Sequence, residues 1–176
     1  MFGEIFGPAD VRNHPPVWRG LFAAALLSIL TTTAQAEPLA GRIVGVHDGD
    51  TLRVNHEGKS LRVRLYGVDC PELKQPGGIE ARALARRLAF GRVLLIESKG
   101  RDRYGRTIGR VFLLSGNTLS RELVKAGRCW WYKRYAPDDQ YLKELEAEAK
   151  ADKRGLWANP DPVPPWEWRK QKRVKK

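Results

Sequence analysis

Residues Val63 to Glu72 read Val-Arg-Leu-Tyr-Gly-Val-Asp-Cys-Pro-Glu, and they place one guanidinium and two carboxylates within a short span. Arg64 lies on a strand pattern, and Asp69 and Glu72 flank Pro71, which has no N–H for a sheet ladder. Acids this close repel one another unless a cation or an arginine sits between them. A third acid, Asp50, closes the turn signal Asp48-Gly49-Asp50. Three hard oxygen ligands from Asp50, Asp69 and Glu72, with the Cys70 backbone carbonyl and waters, suit calcium or magnesium. Arg64 and Arg106 supply planar donors that stay protonated and match the charge on a five-coordinate phosphorus. Loss of one such donor typically costs ~10²–10³ in rate. The chemistry these types can do together is metal-assisted cleavage of a phosphodiester.

Each residue also has an ordinary reading. An Asp-Gly-Asp turn is common without any ligand, and among 32 lysines and arginines a single arginine is usually solvated charge. Arg64 stands out because it alternates in phase with Val63 and Leu65, whereas Arg106 simply follows Gly105 in a polar loop. Glu72, after proline, caps nothing obvious.

The net charge of +12 points to a polyanion, which charge alone cannot assign to a cutting or a merely binding protein. With 176 residues the chain suits one domain. Its three histidines, His14, His47 and His56, form no zinc spacing with the cysteines.

Positions 1–36 read as a secretory signal. Arg12 and Arg19 precede an apolar run over Leu21–Leu30, and Ala34-Gln35-Ala36 offers cleavage after Ala36. That run is too short to span a bilayer comfortably. Export to the periplasm or medium follows as an expectation. In such an oxidising compartment Cys70 and Cys129 can pair; two small buried thiols are the other reading, and spacing leaves both open.

The elements that must carry these groups come in order. Gly41–His47 alternates, with Ile43, Gly45 and His47 on one face. Thr51–Val54 and Ser60–Gly67 follow across tight turns. After Pro76-Gly77-Gly78, residues 79–90 show a helical stripe of Ala83, Leu84, Arg87 and Leu88. Strands Val93–Glu97 and Ile108–Leu114 bracket the polar loop 100–106. Asn117 caps a second helix with the face Leu119, Leu123, Val124 and Ala126, closed by Gly127. Asp138 or Asp139 starts a third helix bearing Tyr141, Leu142, Leu145 and Ala149 and ending at Gly155. Of Trp130 and Trp131, one is expected in the core. The last stretch, 159–176, holds Pro160, Pro162, Pro164 and Pro165, then Trp166, Trp168 and a basic run. It reads as extended, disordered at its end, and able to touch an anionic cell envelope. Five short strands with an interposed helix suit an α+β fold, a five-stranded OB-fold barrel with three helices.

Three motifs carry a resemblance: Asp48-Gly49-Asp50-Thr51, Arg64 through Glu72, and Asp102-Arg103-Tyr104-Gly105-Arg106. Their order and spacing resemble the staphylococcal nuclease (thermonuclease) family over about residues 40–158, within a domain drawn at 37–158. The resemblance implies a calcium-dependent nuclease that cuts DNA and RNA, preferring single strands, at the 5′ P–O bond to leave 3′-phosphates. By the same resemblance Asp50, Asp69 and the Cys70 carbonyl hold the metal, with cysteine standing where the family usually has threonine. Glu72 activates or orients the water, and Arg64 and Arg106 hold the phosphate. Arg103 and Tyr104 match a pair that contacts a terminal phosphate. Of a later tyrosine pair that packs on the base, Tyr135 is kept and Lys133 replaces the other, with Trp131 or Tyr132 as substitutes for stacking. The protein is expected to work as a monomer without an obligate protein partner. The competing expectation is a non-catalytic OB-type module that binds nucleic acid.

Overall fold

The structure, a computed structural model, describes residues 37–174. The signal assigned to residues 1–36 lies outside them. In chain order the strands are β1 (Leu39–Val46), β2 (Thr51–His56), β3 (Lys59–Leu65), β4 (Val68–Asp69), β5 (Val93–Arg101), β6 (Thr107–Phe112) and β7 (Trp130–Trp131). The helices are α1 (Gly78–Ala89), α2 (Leu119–Lys125), α3 (Gln140–Ala151) and α4 (Pro165–Val174), with a 3₁₀ turn at Gly155–Ala158.

Five strands close into a barrel in the order β1-β2-β3-β6-β5, and β4 pairs separately with β7. The barrel closes because the inward residues of every strand are branched and apolar: Ile43, Leu52, Val54, Val63, Leu65, Ile96 and Val111 are all nearly inaccessible. Phase in β2 and β3 follows the expected alternation. In β1 it does not. A register shift between Ile43 and Gly45 inserts a residue, so that Val46, rather than Gly45 or His47, joins Ile43 inside. The pairing of β3 with β6 is parallel, with Val63 opposite Thr107 and Arg64 opposite Ile108.

Helix α1 turns a different face inward from the one its apolar stripe suggests. Ala81, Ala85 and Ala89 are fully buried, Leu84 and Leu88 flank them, and Ala83 and Arg87 face solvent. Small side chains let the helix lie close to the barrel, whereas a leucine face would hold it away. Helix α2 is capped by Thr118, whose hydroxyl accepts the Arg121 N–H at 3.3 Å. Asn117 instead braces the cap, its side-chain oxygen accepting the Thr118 N–H at 2.9 Å. Asp139 caps α3 through the Leu142 N–H at 3.2 Å. On α3, Leu142 and Ala149 are buried, but Tyr141 is exposed and lies beneath the Arg121 guanidinium at 4.3 Å. Trp130 is the buried member of its pair and packs edge-on against Trp157.

The tail differs most from expectation. Residues 165–174 are not extended but form α4, a fourth helix beyond the three expected. Proline read as a breaker acts here as a starter: Pro165 occupies the first helical position, where a missing N–H costs nothing. The Glu167 and Trp168 N–H groups both reach back to the Pro164 carbonyl.

Cys70 and Cys129 are joined in a disulfide across 59 positions, so the two free thiols are excluded. The bridge fastens the end of β4 to the start of β7, beside the buried turn at Gly49. Substituting Cys129 by alanine is expected to cost about 2–4 kcal/mol of stability, the usual effect of opening a long cross-linked loop. A lowered urea midpoint at unchanged slope measures it, and a midpoint equal to the parent's would show that the bridge adds nothing.

Candidate active site

Four backbone features bring the acids together. First, the turn after β1 folds on itself, the His47 N–H reaching the Thr51 carbonyl at 2.8 Å and the Asp50 N–H reaching Asp48 Oδ1 at 3.1 Å. Second, that turn is tied to β3, since the Leu65 N–H donates to the Asp50 carbonyl at 2.8 Å. Third, β3 ends and the chain reverses at Gly67, whose φ of 80° suits glycine and whose missing Cβ leaves room for Leu142. Fourth, β4 returns beside β7 with Asp69 opposite Trp130. The Cys70 N–H then donates to Asp50 Oδ2 at 2.6 Å and locks the two segments together.

The result is a pair of buried carboxylates, Asp50 at 4 % and Asp69 at 1 % exposure. Arg64 lies between them. Its Nη2 donates to Asp69 Oδ1 at 2.8 Å, and its Nη1 is an ion-pair neighbour of Asp50 Oδ1 without the alignment of a hydrogen bond. Burial pulls the Arg64 pKa below its ordinary value, opposed by the charges of Asp69 and Asp48 and assisted by that of Arg106. Arg64 remains the charged partner of the pair, because guanidinium has a very high intrinsic pKa.

Glu72 sits at the rim, its side chain 42 % exposed. Its backbone is held by Gln75, whose side-chain oxygen accepts the Glu72 N–H at 3.2 Å and whose own N–H donates to the Glu72 carbonyl at 2.8 Å. Gly78 lies against that carbonyl so closely that no Cβ would fit.

Arg106 precedes β6, and the parallel register brings it beside the strand that carries Arg64. Asp102 aims it. Asp102 Oδ2 accepts the Arg106 Nε–H at 2.6 Å, while Oδ1 accepts the N–H groups of Tyr104 at 2.9 Å and Arg106 at 3.0 Å. Desolvation raises the Asp102 pKa, but these bonds outweigh it and hold the carboxyl below its usual range. The sequence reading gave Asp102 no role; an aspartate two residues before Tyr104 and four before Arg106 is the Asx-turn signal that could have supplied it.

The remaining candidates lie outward. Arg103 and Tyr104 form a pair on the exposed loop, Nη2 donating to the phenol oxygen at 2.7 Å, with the guanidinium 4.9 Å from the ring. Lys133 and Tyr135 are exposed on the turn after β7. Tyr132 is not free to stack on a base: its ring lies 13° from parallel to Trp166 of α4, with centroids 5.4 Å apart. Trp131 donates its ring N–H to the Ala136 carbonyl at 2.8 Å.

One residue in the acid cluster was read only as part of the basic tail. Arg169 of α4 turns inward and forks onto Asp69, donating to Oδ2 at 2.6 Å and Oδ1 at 3.2 Å, and onto Glu72 Oε1 at 2.8 Å. Burial lowers its pKa, but the hydrogen bonds to Asp69 and Glu72 more than reverse that and raise it.

Two buried carboxylates, a third at the rim and an adjacent peptide carbonyl are the donor chemistry of a hard divalent ion. The presence of two guanidiniums on these acids shows that the pocket demands positive charge. Among the described residues, no three histidine, cysteine, aspartate or glutamate side chains are gathered closely enough to hold an ion as they stand. The donors fit calcium in kind, and arginines take the charge-balancing positions.

Comparison with known proteins bears on what such a cluster does. The family described as "Staphylococcal nuclease homologue" matches residues 62–159. An "Uncharacterized endonuclease" of Escherichia coli O157:H7 is 39 % identical over 147 residues, covering 84 % of this chain and 95 % of that protein. The "Micrococcal nuclease" of Shigella flexneri is 36 % identical over 157 residues, covering 84 % and 90 %. "Protein ParB" of E. coli is 36 % identical over 162 residues, covering 86 % and 91 %.

Removing Arg64 leaves Asp50 without a guanidinium and Asp69 with Arg169 alone. Arg64→Met, which keeps the apolar stem, is expected to cost about 3–5 kcal/mol, as the loss of one partner of a buried pair does. Chemical denaturation at neutral pH reads it directly. A loss below about 1 kcal/mol would mean that the acids are solvated or otherwise compensated.

Proposed function

The chain belongs to the staphylococcal nuclease family, and from that premise we propose that it is an exported, calcium-dependent nuclease acting on DNA and RNA. Its activity class, hydrolysis of phosphodiester bonds, is that of its relatives. The calcium requirement, a preference for single strands, 3′-phosphate products and export are parts of the proposal. The observation that carries it is the convergence of Asp50, Asp69, Arg64 and Glu72 at one mouth of the barrel.

In this reading Asp50, Asp69 and the Cys70 carbonyl hold the ion. Calcium, when bound, supplies Lewis-acid polarisation of a phosphoryl oxygen and charge against the scissile phosphate. Glu72 is the proton acceptor. It is the one acid of the three that is substantially exposed, so a water can reach it. Arg64, fixed by its buried stem, and Arg106, aimed by Asp102, donate to phosphoryl oxygens as negative charge develops on them. Arg106 is held by Asp102 before substrate arrives, whereas Arg64 must exchange its bonds to Asp50 and Asp69 for phosphoryl oxygens.

The net charge of +12 steers a polyanion toward the cleft, so affinity is expected to fall steeply with salt. Arg103 and Tyr104 stand on the exposed loop next to Arg106, where a terminal phosphate can meet them. Tyr135 and Lys133 remain candidates for the base side. The exposed Lys170, Lys172 and Arg173 of α4 are available to an anionic envelope surface. The protein acts as a monomer in this reading.

The test is release of acid-soluble nucleotides from single-stranded DNA and RNA in calcium or in chelator, with Glu72→Gln as the paired variant. Calcium-dependent release is expected, with the variant slower by about 10²–10⁴-fold, the typical share of a general base, and its thermal midpoint near the parent's. Full activity in the variant would remove Glu72 from the mechanism. Binding without any release by the parent would favour a non-catalytic module.

A further inference from the structure

We infer that Arg169 is a placeholder for the divalent ion: helix α4 holds the acid pocket closed, and calcium binds only as Arg169 leaves. The inference rests on the calcium reading above and adds to it a residue outside the matched family region, which ends at 159.

The argument is one of shared atoms. Asp69 Oδ2 accepts from Arg169 at 2.6 Å, and Asp69 Oδ1 already serves Arg64 at 2.8 Å as well as Arg169 at 3.2 Å. Glu72 Oε1 also accepts from Arg169, at 2.8 Å. An ion on Asp69 must use an oxygen that the guanidinium fork already occupies, and Oδ2 is the one that Arg64 leaves to the fork. A divalent ion on Asp69 Oδ2 would stand against the guanidinium that holds that same atom, and the like charges repel in a buried setting. The two states therefore exclude one another.

Helix α4 is built to hold the fork and also to release it. It begins after Val163, whose carbonyl accepts the Gln75 side-chain N–H at 2.6 Å, so the same Gln75 that braces Glu72 also anchors the start of the helix. Pro165 is buried, and Trp166 stacks on Tyr132. Beyond these contacts the helix carries exposed Lys170, Gln171, Lys172 and Arg173. A groove of about 380 Å³ opens beside the fork, bordered by Asp48, Glu72, Lys74, Trp168 and Lys172. The guanidinium has somewhere to go without loss of the barrel.

Placeholding has two consequences. The acids stay neutralised and in position when calcium is scarce. Apparent calcium affinity falls by the fraction of time the pocket is closed, so a fork in place about nine-tenths of the time weakens it about ten-fold.

Isothermal calorimetry of the purified protein with calcium tests this without any turnover. Arg169→Gln is expected to bind calcium about ten-fold more tightly than the parent. Trp166→Ala, which loosens the helix but keeps the arginine, is expected to tighten binding by a smaller factor. Lys170→Gln removes the same charge from the same helix at an exposed position outside that groove and is expected to stay within about two-fold of the parent. Equal or weaker binding in Arg169→Gln overturns the inference, as does equal tightening by Lys170→Gln, and both leave the calcium reading standing. Failure of the parent and every variant to bind calcium overturns both.

Discussion

Two carboxylates buried side by side stay ionised only with a positive charge between them; without one, a proton must take its place. Each would cost several kcal/mol to desolvate, and their mutual repulsion adds to that. Asp50 and Asp69 are such a pair, and much of the local architecture can be read as the means of balancing them. Arg64 enters from the neighbouring strand and touches both. Arg169 arrives from the far end of the chain and forks onto one of them and onto Glu72. A backbone N–H, that of Cys70, takes one further oxygen. The same demand for charge supports the proposed calcium: what arginines neutralise, an ion can neutralise.

The barrel supplies this arrangement through its crossings. Parallel pairing of β3 with β6 is the connection that brings the 102–106 loop beside Arg64, because the chain must pass through α1 and β5 before returning. Antiparallel pairing of β2 with β3 sets Thr51 opposite Arg64, which fixes Asp50 one residue from that guanidinium's strand partner. At Gly49 the fit is close enough that a Cβ would come within 2.7 Å of Cys70 Cβ and 2.9 Å of Ala81 Cβ. The disulfide, the alanine face of α1 and the acid-bearing turn thus press on one point. A small residue is required there for the acids to approach.

Legibility in the sequence divides along the same physical line. Strands β2 and β3 show their alternation because one face is packed and nothing interrupts it. In β1 a bulge shifts the phase, and no residue type announces it. The buried face of α1 was hidden because close packing selects alanine, while apolar stripes attract attention to leucine. Asp50, Asp69, Glu72, Arg64 and Arg106 were legible as a set because their types and order are chemically coherent and resemble a known family. Arg169 was not. Its contacts to Asp69 and Glu72 span 100 and 97 positions, and a basic run after prolines has the composition of a solvated tail. Only the observation that Pro165 starts a helix, and that this helix docks on Tyr132, turns one of those arginines inward.

A crystal structure of the protein grown with calcium tests the central claim most directly, since it locates the positive charge that balances the acids. The account predicts an ion coordinated by Asp50, Asp69 and the Cys70 carbonyl, with the Arg169 fork withdrawn from Asp69 and Arg64 retained. An ion bound elsewhere, with Arg169 still forked onto Asp69 and Glu72 at saturating calcium, would contradict it.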